Sequence, residues 1–207
     1  MNYPIPDLAP DALHSYEESI KRSRFIVSLA HTPDTRAAKA FVERIKCAFP
    51  DATHNCWAFV AGPPGQTGQV GYSDDGEPHG TAGRPMLTML LHSGTGELCA
   101  VVTRYFGGIK LGTGGLVRAY QGMVRQGLET LPVREHMSPA RLEVVLDYAH
   151  ITPFLRLLPA FRASVAAENF GVDATYQLLL PDENCAALEK ALTECTDGAV
   201  LLTRLVE

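Results

Sequence analysis

The sequence predicts an α+β / α/β two-domain chain: an α/β sandwich with a mixed sheet over residues 1–134, then a βαββαβ domain over residues 135–207. Three observations predict it. Apolar runs of strand length alternate with stretches of helical periodicity through the first part. Sixteen of the 18 glycines lie between Gly62 and Gly127, and only Gly171 and Gly198 follow, so the composition changes before residue 135. At that change Pro132 and Pro139 flank the polar Arg134-Glu135-His136, the composition of a linker.

In chain order, residues 15–20 and 24–30 read as strands. Thr32-Pro33-Asp34 opens a helix with an apolar stripe of Ala37, Ala40, Phe41, Ile45 and Ala48, and Pro50 stops it. Residues 54–61 read as a strand. Residues 62–83, rich in Gly, Pro, Asp and Ser, read as a long loop of the functional kind. A helix follows at 85–92, then a buried strand at 98–103, a glycine-rich turn, and a helix at 116–131. The second part reads as strand 140–148, helix 152–161, strands 163–170 and 174–180, helix 182–195 and strand 199–206. That order is the ferredoxin-like split motif.

Charge is unevenly spread. Residues 1–134 carry 13 Lys+Arg against 12 Asp+Glu, and residues 135–207 carry 5 against 11. Between 78 and 128, Arg84, Arg104, Lys110, Arg118 and Arg125 face a single acid, Glu97. The glycine-rich region is therefore cationic within an acidic chain, and it suits an anionic partner. No apolar run approaches the ~20 residues of a membrane span. The N-terminus lacks the basic and apolar regions of a signal peptide. Cys47, Cys56, Cys99, Cys185 and Cys195 are odd in number and widely spaced, which points to reduced thiols in a cytoplasm.

The turn itself is the main chemical signal. Gly107, Gly108, Gly112, Gly114 and Gly115 fall within nine residues between a strand and a helix. A helix start presents free backbone N–H groups and the positive end of its dipole, an anion site. Arg104, Lys110 and Arg118 bracket it and are expected to neutralise a bound phosphate or other anion, with the N–H groups of Thr113, Gly114 and Gly115 donating. Tyr105 and Phe106 supply a stacking face where exposed. Thr113 stands where a Walker loop has its lysine, so a Walker nucleotidase is excluded.

The loop expected to face this site holds Asp74, Asp75, Glu77, Thr81 and Arg84. Its carboxylates have two uses, ligation of a hard cation such as Mg²⁺ or pairing with Arg104 or Arg84. No established metal-ligand or cofactor motif occurs, and none is assigned. His54 and Cys56 share a strand face, but a third, orienting group for a nucleophile is not evident, and Cys56 reads as a small buried residue. Trp57 faces the other way, into the core.

The segments 103–120 and 72–86, with Lys21-Arg22-Ser23-Arg24-Phe25-Ile26 and His54-Asn55-Cys56-Trp57, resemble the signature of the IMPACT (UPF0029) family over nearly the whole chain. The resemblance implies that the first domain has the fold of the second domain of small-subunit ribosomal protein five. It implies that the second domain is similar to the last domain of elongation factor G. It therefore implies a cytoplasmic protein that binds RNA or the ribosome, or a translation-factor partner, and regulates translation without being an enzyme. In the eukaryotic members the partner-binding domain lies outside the shared region. Two other classes stay open: a Mg-dependent enzyme acting on a phosphorylated small molecule, and a protein-interaction module docking through the acidic second domain.

Overall fold

Alternating apolar residues dictate the first sheet. The computed structural model describes residues 3–136 and 139–205. A short strand β1 (Tyr3–Pro6) precedes the hairpin of β2 (His14–Ile20) and β3 (Ser23–His31). Helix α1 (Thr35–Ala48) follows, then β4 (His54–Val60), β5 (Val70–Ser73), α2 (Gly83–His92), β6 (Leu98–Tyr105), α3 (Thr113–Thr130) and β7 (Val133–His136). Five of these strands form one sheet in the order β2-β3-β6-β4-β5, antiparallel throughout. The sequence expectation is a mixed sheet. The structure differs because β3 and β4, joined by the α1 crossover, never pair; β6 enters between them and runs against both.

Period two sends the two faces of this sheet to different cores. Phe25, Val27 and Leu29 of β3, Cys56, Ala58 and Val60 of β4, and Leu98, Ala100 and Val102 of β6 pack beneath α2 and α3. Ala30, Phe59, Cys99 and Val101 on the opposite pleat pack against Phe41, Val42 and Ile45 of α1. Trp57 flanks this second core, its ring 5.8 Å from that of Phe59. Asp34 caps α1 by accepting the Ala37 N–H at 2.7 Å.

Three strands escape the sequence reading. β5 lies inside the stretch read as loop, and β1 and β7 pair with one another, Tyr3 opposite His136 and Pro6 opposite Val133. Glu97, only 6% exposed, anchors this ribbon. It accepts the Tyr3 hydroxyl at 2.7 Å, and His31 Nε2 lies 2.6 Å from its other oxygen. His136 Nε2 lies 3.4 Å away, and its ring stacks on Tyr3 at 4.7 Å. Burial and the adjacent Glu97 carboxylate both push the Tyr3 hydroxyl pKa up. The first compact unit spans Tyr3–His136, so β7, on both sides of residue 134, belongs to it.

The second unit contains β8 (Pro139–Leu146), α4 (Ile151–Leu157), β9 (Ser164–Phe170), β10 (Ala174–Pro181), α5 (Cys185–Cys195) and β11 (Leu201–Leu205). Its antiparallel sheet has the order β11-β8-β10-β9, the split βαβ arrangement that the sequence predicts. Leu142, Val144 and Leu146 pack with Phe154, Leu188 and Leu192. The last residue of the expected strand 199–206, residue 206, lies outside the described residues.

Candidate anion-binding site

The core-facing row of the first sheet turns polar at its last rung. On β6, Leu98, Ala100 and Val102 point beneath α2 and α3, and the same period places Arg104 on their side. Its cross-strand partners are Phe25 and His54. Arg104 is 4% exposed. Its guanidinium pairs with Glu77 and lies over the rings of Phe25 and Phe106, at 5.3 and 5.5 Å from their centroids. Glu77 also accepts the Tyr120 hydroxyl at 2.8 Å. The buried Cys56 thiol donates to the Asp74 carbonyl at 2.9 Å and lies 3.4 Å from the Tyr120 oxygen. Burial pushes both the Cys56 thiol and the Tyr120 hydroxyl far up, so Cys56 is a packed residue and not a nucleophile.

The expectation that Arg104 neutralises a phosphate is corrected by this geometry. Its charge is committed to Glu77 beneath the surface, because strand alternation turns it inward. The alternative use of the loop carboxylates, pairing with Arg104, is the one that Glu77 adopts.

The three carboxylates of the loop diverge instead of forming one cluster. Asp74 accepts the N–H groups of Gly80, Ala82 and Gly83 at 2.8, 3.1 and 2.8 Å, at the start of α2. Asp75 accepts the Asn55 N–H at 2.7 Å and lies 3.2 Å from the Lys46 ammonium. Thr81 is buried and donates to the Pro78 carbonyl at 2.6 Å. Arg84 is exposed on α2 and has no ion pair among the described residues. No group of three His, Cys, Asp or Glu among the described residues is placed to hold a metal.

Asp74 yields a test of loop order. Burial raises its pKa, but the three N–H donors and the nearby His79 outweigh burial and hold the carboxyl below its ordinary range. A carboxyl lowered in the folded state contributes stability above its unfolded value, near 3.9, and loses it as pH falls through the lower folded value. Asp74→Asn is expected to cost about 1–2 kcal/mol at pH 7. The gap between the two proteins should close as the pH falls below about 4. Thermal melts across that range check this, and a gap independent of pH would contradict the charged cap.

The glycine turn is shaped by close approach. A Cβ on Gly107 would sit 1.8 Å from the Arg22 carbonyl oxygen, so the β2–β3 turn presses directly on it. Gly112, at φ +75°, precedes α3 without offering a side-chain acceptor. The N–H groups of Thr113, Gly114 and Gly115 therefore meet no acceptor among the described residues. Beside them opens a cleft of about 430 Å³, walled by His54, Glu77, Arg104, Phe106, Lys110 and Thr113. A neighbouring hollow is lined by Lys21, Leu111, Gly115 and Arg118. Gly108 lines neither, and Tyr105 is tied down by its hydroxyl, which donates to Asp51 at 3.0 Å. Phe106 is 46% exposed.

Lys21, Arg22, Lys110 and Arg118 are all exposed and carry no ion pair among the described residues. The chemical reading of the turn includes only the last two of these. The hairpin lysine and arginine join them through the Gly107 contact, which no spacing in the sequence announces. His54, read only as a partner for Cys56, also belongs to the cleft.

Comparison with known proteins places this site in a family. Residues 21–128 match the Impact N-terminal domain, and residues 144–199 match a domain of unknown function (DUF1949). The chain is 42% identical over 200 residues to IMPACT family member YigZ of Escherichia coli, covering 97% of this chain and 98% of the relative. The chain belongs to the IMPACT family. It is also 40% identical to an IMPACT family member of Haemophilus influenzae, over 96% of each chain. To YvyE of Bacillus subtilis it is 35% identical over 90% of this chain and 89% of the relative. A crystal structure of a hypothetical protein, 40% identical, matches 100% of this chain and 98% of its own with a TM-score of 0.73. The IMPACT-type match begins at Lys21 and encloses the turn, the cleft and every residue lining the neighbouring hollow except Ile20. No helix among the described residues is long and apolar enough to cross a membrane.

Proposed function

We propose that this IMPACT-family protein binds RNA on the ribosome through the α3 end of its first unit and thereby regulates translation in the cytoplasm. The observation that carries the reading is the set of exposed cations without ion pairs around the glycine turn and its free helix-start N–H groups: Lys110 lines the cleft, Lys21 and Arg118 line the neighbouring hollow, and Arg22 follows Lys21 in the turn whose backbone presses on Gly107. Such groups contact phosphate without reading sequence. The exposed Phe106 ring beside them gives a base a face to stack on. The resemblance of both domains to parts of the translation machinery favours ribosomal RNA over other polyanions.

Binding through four phosphate contacts predicts that log K falls with log salt at a slope of about −3 for single-stranded RNA. Lys110→Ala/Arg118→Ala should flatten that slope by about 1.4 while leaving the fold intact. Titration of wild type and variant against RNA and purified ribosomes across salt tests this. A wild type that fails to bind at low salt, or a variant with the wild-type slope, rejects the reading.

A further inference from the structure

We infer that the second unit docks a basic, extended segment of another protein as an added strand on the free edge of β9, separately from the RNA reading of the first unit.

The edge is the first observation. β9 ends the order β11-β8-β10-β9, and no strand among the described residues pairs with its far side. All seven of its residues are exposed. An open edge presents a row of unpaired N–H and C=O groups, which native sheets guard with Lys, Pro, bulges or a covering element. β9 contains neither Lys nor Pro. A break in register between Gln177 and Leu178 leaves Ala166 without a partner across the ladder, so a bulge interrupts the edge there. Residues 167–170 stay regular and open, long enough for two side chains on each face.

The second observation is an aromatic patch at the end of that open stretch. Phe170 meets the buried Tyr176 edge-on at 5.9 Å, and Tyr176 packs 4.8 Å from Phe154 in the core. Tyr148 stacks on Phe170 at 6.3 Å, and its hydroxyl donates to the Gly171 carbonyl at 2.8 Å. Both rings are held from the core side and left 52% exposed, and Val172, at the tip of the β9–β10 hairpin, is 94% exposed. Rings already ordered lose little freedom when a partner covers them, which suits them as anchors of an interface.

Charge selects the occupant. Residues 142–150 and 163–178 hold Glu143, Asp147, Glu168 and Asp173 and neither Lys nor Arg. Asp147 adjoins Tyr148 and Asp173 adjoins Val172, while Glu168 lies two residues before Phe170 and so on the same face. A strand laid beside β9 places one side chain opposite Phe170 and another, two positions away, opposite Glu168. The match is an aromatic or branched apolar residue two positions from a Lys or Arg. A second copy of this chain brings only another acidic β9, and the same charge repels RNA.

Selection of a random dodecapeptide library displayed on phage tests this on the full chain, with Tyr148→Ser/Phe170→Ser/Val172→Ser as the counter-selected protein. The enriched sequences should carry Lys or Arg two positions from an aromatic or branched apolar residue. A synthetic peptide of that sequence should bind the wild type at least tenfold more tightly than the triple variant. It should also prefer the wild type over Glu168→Lys, a change at an exposed position that leaves the core intact. Binding should slow amide exchange at residues 167–170. N-methylation of one alternate set of peptide amides should abolish binding, and of the other set should spare it. No enrichment over the triple variant, enrichment of acidic sequences, or binding indifferent to both methylated sets overturns the proposal. A wild-type dimer that the triple variant loses assigns the edge to a second copy and overturns it as well. RNA binding lost in the triple variant does the same in favour of RNA.

Discussion

Arg104→Ala should destabilise the first unit by about 3–5 kcal/mol, the cost of leaving a charge buried without its partner. Glu77 has a side chain only 3% exposed, and the Tyr120 hydroxyl is its other close donor. Losing the guanidinium also removes a contact over the Phe25 ring at the edge of the core. The ion pair is costly to break and far less costly to replace. Arg104→Met/Glu77→Leu should therefore recover more than half of the loss, because both charges then leave together. Urea unfolding of the wild type, the two single variants and the pair measures the coupling. A single variant that costs under 1 kcal/mol would show that the pair is solvated and that the inward reading of Arg104 is wrong. The distinction matters for function. Loss of RNA binding in Arg104→Ala would report unfolding, whereas loss in Lys110→Ala/Arg118→Ala would report contact.

The second large effect is expected at Gly107. An alanine methyl there would overlap the Arg22 carbonyl oxygen at 1.8 Å and its carbon at 2.1 Å. Both neighbours are backbone, so no side chain can swing aside and the β2–β3 turn must move. Overpacking of this kind costs about 1–3 kcal/mol, and backbone neighbours place Gly107→Ala at the upper end. Gly122→Ala is the contrasting control. It lies within α3, and a Cβ there meets nothing within 4 Å. Relief of glycine entropy should stabilise that variant by about 0.5–1 kcal/mol. Thermal melts decide both. A Gly107→Ala protein as stable as the wild type would mean that the hairpin is not held against the turn. The same substitution should also weaken RNA binding, because it drives Lys21 and Arg22 away from Lys110 and Arg118.

The sequence carried most of the architecture because periodicity is a local property. The alternation that made β6 a buried strand also stated where Arg104 points: Leu98, Ala100, Val102 and Arg104 are successive members of one row. The charge of Arg104 hid that message, since a cation beside a glycine turn suggests an anion more readily than a buried carboxylate. Glu77 is legible as a possible partner because only its side-chain type is needed. β1, β5 and β7 are illegible for the opposite reason. Each is four residues long, and β1 and β7 are rich in proline or charge, so neither shows a period of its own. They exist through pairing across 130 residues or, for β5, through the edge that β4 offers. Contacts made only in three dimensions likewise hid the Lys21-Arg22 contribution to the site. Resemblance to a family supplied what periodicity could not, by marking the hairpin and the turn together.

The β1–β7 ribbon has a consequence for how this unit can be handled and reused. Its first and last described residues, Tyr3 and His136, are stacked partners sharing Glu97, so the path of the chain closes on itself. A fold whose ends meet is a cassette. It can be spliced into the loop of another protein or given new termini elsewhere without stretching its frame. Clipping either end leaves the other strand without its partner and takes one of the Tyr3 and His136 contacts from the buried Glu97 carboxylate.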